Sequence, residues 1–120
     1  MSVTVMTVTY EVEAGELALF RASISKHAET TRQREGGCLR YDVNYGIDRA
    51  TLCLTYALFD SVDAYEQHVA SDHYSLFDEL SSDWVASRIE QLWELGASPR
   101  RVGPRRRSAR ACRRRRTNPA

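Results

Sequence analysis

The spacing of apolar residues switches repeatedly between period two and helical period along this chain. The order of those switches limits the fold more than any other feature. In "SVTVMTVTYEV", Val3, Val5, Thr7 and Thr9 alternate with Thr4, Met6, Val8, Tyr10 and Val12. Such β-branched alternation predicts a strand. Both sets are partly apolar, so both faces of the sheet are expected to be covered. From Leu17 the period becomes helical: Leu17, Phe20, Ile24, His27 or Ala28, and Thr31 share a stripe, and Gly36-Gly37 end it. His27 lies at the stripe's edge and reads as a boundary residue rather than a ligand.

Alternation returns in "CLRYDVNY", where Leu39, Tyr41, Val43 and Tyr45 oppose Cys38, Arg40, Asp42 and Asn44. It returns again in "TLCLTYALF", where Leu52, Leu54, Tyr56 and Leu58 oppose Thr51, Cys53, Thr55, Ala57 and Phe59. With only "GIDRA" between them, the two strands are expected to form a hairpin. Pairing Tyr45 with Thr51 sets Cys38 opposite Leu58 and Cys53 opposite Val43, which argues against a disulfide between the cysteines. Asp60 and Ser61 then cap a helix with Val62, Tyr65 and Val69 on one face. Ser71 and Asp72 cap a second, with Tyr74, Phe77 and Leu80. "SRIEQLWEL" fits either period, but a strand over 88–95 completes the order β-α-β-β-α-(α)-β. That order is an α+β, ferredoxin-like split βαβ sandwich with an antiparallel sheet. Helices cover one face of such a sheet only, so a second subunit is expected on the other, as a homodimer.

Charge divides the chain in two. Residues 1–98 carry seven basic and sixteen acidic side chains, a net charge of −9, together with all eleven aromatics. Residues 99–120 carry ten Arg and no acid. The expectation is one acidic domain, 1–98, followed by an Arg-rich tail, 99–120, with too little apolar surface to fold. The tail reads either as an arm that contacts nucleic acid or as a dispensable extension. Sixteen Arg against one Lys suggest a biased genome composition that produces such runs without selection for binding. Cys38, Cys53 and Cys112 form no CxxC pair, so no metal or redox motif is read. The N-terminus has neither a signal-peptide flank nor a membrane-length apolar run, and a cytoplasmic location is the simplest reading.

The stretch "HVASDHY" holds His68 and His73 with Ser71 and Asp72 between them. Read structurally, it is the join of two helices. Read chemically, at least one histidine enters a pocket and accepts a proton near neutral pH. On a straight helix residues five apart point about 140° from each other. The pair is therefore expected to be poor at sharing a metal ion, and no metal is expected.

Residues "GCLRYDVNY…TLCLTYALFDSVDAYEQHVASDHYSLF" resemble the antibiotic biosynthesis monooxygenase (ABM) domain, a family also described as quinol monooxygenases. The match is sharpest at the second strand, at the third strand with its helix, and at the His-x-x-Ser-x-His-aromatic pattern. The resemblance implies a dimeric α+β barrel over roughly residues 3–95. It also implies one of several activities: cofactor-free oxygenation of hydroxylated aromatics, haem degradation, or isomerisation of a phosphorylated sugar. In the quinone-forming members an Asn and a Trp on the third strand and an Arg after the next helix are the proposed catalytic groups. Thr55, Phe59 and Tyr74 stand there. In the haem-degrading members the Trp works with a ligating His, where this chain has Phe59 and Asp78, and Asp is a poor haem ligand. The sugar isomerase carries Tyr-Glu-x-Tyr, where this chain has Tyr56, Ala57, Leu58 and Phe59.

The expected activity is thus a cofactor-independent monooxygenation of a small hydroxylated aromatic or quinol with O2. His73 is read as the preferred proton acceptor and His68 as the second. Thr55, Phe59, Tyr74 and Tyr41 are read as the substrate-binding set. A catalytically silent small-molecule-binding dimer and a sugar-phosphate or carbonyl isomerase are the alternatives.

Overall fold

The computed structural model describes residues 2–99. The Arg-rich tail anticipated over 99–120, with Cys112, lies outside them apart from Pro99. The elements follow the anticipated order: β1 (Thr4–Val12), α1 (Leu17–Arg34), β2 (Cys38–Tyr45), β3 (Leu52–Phe59), α2 (Val62–Val69), α3 (Asp72–Ser81) and β4 (Val85–Glu94), with short 3-10 turns at Ala14–Glu16 and Ser82–Trp84. The strands form one antiparallel sheet in the order β2-β3-β1-β4. The split βαβ sandwich is therefore present. The ambiguous last segment is a strand, since β1 has an unpaired edge that only β4 fills.

The core lies between the helices and one sheet face. Met6, Val8, Tyr10 and Val12 of β1, Cys53, Ala57 and Phe59 of β3, and Phe20 and Ile24 of α1 are all buried there. Rings pack edge to face, Tyr10 against Phe20 at 5.1 Å and against Phe77 at 6.4 Å. Truncating a side chain such as Phe20 in this core costs about 3–5 kcal/mol.

Four local readings change. The β2–β3 register differs from the one anticipated, by two residues at the turn, where Tyr45 pairs with Cys53, and by one at the far end, where Cys38 pairs with Phe59. Thr51 is drawn away to β1, where its carbonyl accepts from Val12 N–H (2.8 Å) and its hydroxyl donates to Glu11 (2.8 Å). The two cysteines remain far apart along the hairpin, free and buried. A bulge between Cys38 and Arg40 turns Cys38 into the core and leaves Leu39 exposed, reversing the alternation at that end. In α2 the buried residues are Ala64 and His68, four apart, while Val62 is exposed. In α3 only Phe77 of the anticipated trio is fully buried, and Leu80 is exposed. The last two shifts share a cause: α2 and α3 are short and meet the core at a break, so each presents one turn rather than a long stripe.

Gly37 brings α2 close to the start of β2. A Cβ there would lie 2.6 Å from Ala64 Cβ, so only glycine fits that approach without a shift. No helix among the described residues is long and apolar enough to cross a membrane.

Candidate functional site

Glu35 is the C-cap of α1. Its backbone leaves the helix in an extended conformation while its N–H still bonds Thr31 carbonyl at 2.9 Å. Two residues on is Gly37, the glycine that lets α2 approach. The Glu35 side chain therefore points at the end of α2 and the start of α3. Between those helices the chain breaks at Ala70-Ser71. Ser71 caps α3: its hydroxyl accepts from Tyr74 N–H (3.2 Å) and donates to His68 carbonyl (2.7 Å).

The break overturns the expectation that His68 and His73 diverge. A straight helix would separate them; the change of axis turns both toward Glu35. His68 Nδ1 lies 2.9 Å from Glu35 Oε2 and 3.1 Å from Oε1, and His73 Nε2 lies 2.5 Å from Oε2. A carboxylate only accepts, so each imidazole donates through that nitrogen. In the neutral form this leaves His68 Nε2 and His73 Nδ1 as lone pairs. His68 is fully buried and its Nε2 has no hydrogen-bond partner; His73 is 12% exposed.

His27 completes the group, and its reading as a boundary residue is corrected: it is 5% exposed. Its ring stacks on Phe77 at 4.8 Å and lies 5.4 Å from His68 and 5.7 Å from His73. Burial, reinforced by the two neighbouring imidazoles, pushes its pKa down to about 3. Burial also lowers His68, against the opposing pull of Glu35. The sheet side supplies Phe59, 5.1 Å from His68, and Tyr41, whose hydroxyl burial holds well above its ordinary range. Tyr74 stands 5.2 Å from His68, and its hydroxyl accepts from Arg88 at 3.0 Å. Arg88 also donates to Glu90 (2.8 Å), as does Tyr65 (2.6 Å). Although burial acts to raise it, these bonds hold the Glu90 carboxyl below its ordinary value.

The anticipated residues thus gather, with one division. Phe59, Tyr41, Tyr74 and His73 ring His68. Thr55 enters the same core layer from β3, fully buried, and its hydroxyl is unpartnered. A groove of about 440 Å³ between α1 and α3 is lined by His73, His27 and Phe77, but by none of the anticipated substrate-binding residues Thr55, Phe59, Tyr74 and Tyr41. Glu35 and His27 were missed from the sequence. The Glu precedes a helix stop and looks like solvated filling, and the His sits where a stripe narrows. The approach of Gly37 to Ala64 is what brings the carboxylate to the imidazoles.

Glu35, His68 and His73 also make a two-His, one-carboxylate set with ligand atoms within 4.8 Å of one another. Metal-bound imidazoles nearly always donate their second N–H. His68 Nε2 has no acceptor. The trio fits a hydrogen-bonded relay better than a metal centre.

The fold defines a ferredoxin-like α+β protein with a carboxylate–imidazole cluster under its helices. A profile of the antibiotic biosynthesis monooxygenase family matches residues 3–80, and the chain belongs to that family. Among solved structures, a candidate antibiotic biosynthesis monooxygenase from Nitrosomonas europaea is similar at 22% identity and TM-score 0.75, over 82% of this chain and 93% of that one. One from Caulobacter crescentus is similar at 18% identity and TM-score 0.76, over 80% and 92%. A conserved protein from Methanosarcina mazei is similar at 18% and 0.74, over 80% and 95%. No curated protein matches.

Proposed function

We propose that this protein is a cofactor-independent monooxygenase of a small hydroxylated aromatic or quinol, using O2, with His73 as the base. The observation that carries the reading is Glu35 bonded to both imidazoles, with His73 at the groove. The carboxylate fixes the His73 tautomer, leaving Nδ1 to take a phenolic proton, and stabilises the imidazolium that forms. The substrate anion passes one electron to O2. The resulting radical and superoxide join at a ring carbon. The His73 imidazolium returns its proton to the peroxide, and the O–O bond breaks as that carbon loses its hydrogen, leaving a carbonyl and water. His68, buried and held by the same carboxylate, is a positioning residue, and the stacked His27 and Phe77 rings on the groove floor pack the substrate ring. The free, buried thiols Cys38 and Cys53 suit a reducing, cytoplasmic setting.

A second reading, a silent binding domain of the same fold, is favoured by one observation. Thr55 and Phe59, at the positions of the quinone-forming members' Asn and Trp, are closed off from solvent. Oxygen uptake decides between them. With metal-stripped protein and a panel of hydroquinones, uptake above autoxidation is expected, falling about 10²-fold in His73→Ala. No uptake with any quinol, from folded protein, overturns the monooxygenase reading.

A further inference from the structure

We propose that the α1–α3 groove takes an aromatic substrate bearing a carboxylate, which Lys26 and Arg34 hold at the rim; this rests on the site reading above. The groove's volume of about 440 Å³ is of small-molecule size. Its floor is the His27–Phe77 stack with His73 beside it, and Leu76 and Leu80 expose apolar surface along the α3 wall. Such a lining receives a ring.

The α1 wall is different. It presents Lys26 and Arg34, about two helical turns apart with Thr30 between them. Neither cation is in an ion pair among the described residues. The other α1 arginines are engaged: Arg21 lies over the Tyr45 ring at 4.0 Å, and Arg32 donates to Cys38 carbonyl at 2.5 Å. Two free cations at one groove stand out in a region, residues 1–98, with net charge −9. The acidic groups facing the groove are on the other side: Asp72 lines the α3 wall, and Glu35 lies behind His73, bonded to both imidazoles. A ligand with one carboxylate is thereby oriented, its anion toward α1 and its hydroxylated ring toward His73.

Anaerobic calorimetry separates binding from turnover. The probes are 2,5-dihydroxybenzoate, its methyl ester, and hydroquinone. At low salt the acid is expected to bind about tenfold more tightly than either neutral ligand, the effect of two solvent-exposed charge contacts. The double substitution Lys26→Gln/Arg34→Gln should remove that preference. Both side chains are exposed, so the fold is not at stake. Equal binding of acid and ester, an unchanged preference in the double variant, or no binding of any probe overturns the proposal. A preference for the acid without oxygen uptake supports the anion site and strikes only the monooxygenase reading. Uptake on hydroquinone without a preference does the reverse.

Discussion

His27 couples the site to pH through stability. Its pKa is about 3 in the folded protein, against an ordinary value of 6.5, because burial disfavours the imidazolium. Between those values the unfolded chain binds a proton that the native protein refuses. The stabilising effect is therefore complete above about pH 6.5 and is lost as the pH falls toward 3. At pH 5 the loss from this residue is ~2 kcal/mol. His68, also lowered, acts in the same direction. His27→Phe keeps a ring against Phe77 and removes the titration. Urea midpoints at pH 7 and pH 5 should show the variant losing ~2 kcal/mol less than the wild type over that interval. Equal losses would mean that His27 is solvated in the native state.

The break between α2 and α3 is the element on which the site depends. Ser71 and Ser61 hold equivalent N-cap positions, each hydroxyl accepting from a backbone N–H three residues on. Replacing either with Ala should cost about 1 kcal/mol. Only Ser71→Ala should also lower kcat, because only Ser71 bonds the His68 carbonyl and fixes the axis change that turns His73 to Glu35. Equal turnover in the two variants, with equal melting temperatures, would separate the break from catalysis. The same elements show what was legible beforehand. Caps and period switches located the first three strands and the helices, since those signals are local, while β4 needed the topology to decide its period. The α1 core stripe was legible because it runs for many residues, whereas β1, apolar on both sides, did not reveal which face meets the helices. Glu35 was not legible. Its role depends on a contact with residues 33 and 38 positions further on, brought close by Gly37 lying against Ala64. The hairpin register failed for a similar reason: Thr51 pairs with β1, a partner about 40 residues away.

At the scale of the whole molecule, the helices leave one sheet face without cover. The strand register places Val5 and Thr9 of β1, Leu54 and Leu58 of β3, and Ile89 and Trp93 of β4 on that face. Leu54, Ile89 and Trp93 remain 40–59% exposed. The Trp93 indole N–H donates to the Thr7 hydroxyl at 2.9 Å, which holds the ring over β1. An exposed apolar face of this kind is expected to be an interface rather than a solvated surface. A face offered identically by every copy is most simply covered by a second copy about a two-fold axis. That arrangement leaves the α1–α3 groove open, because it lies on the opposite side of the sheet. Light scattering at micromolar concentration should therefore give twice the mass of the chain. Leu54→Lys/Ile89→Lys places charge at the centre of the face on two strands flanking β1 and should yield a monomer with unchanged far-ultraviolet circular dichroism. A monomeric wild type at that concentration would mean that the apolar face is solvated or covered by something other than a second copy.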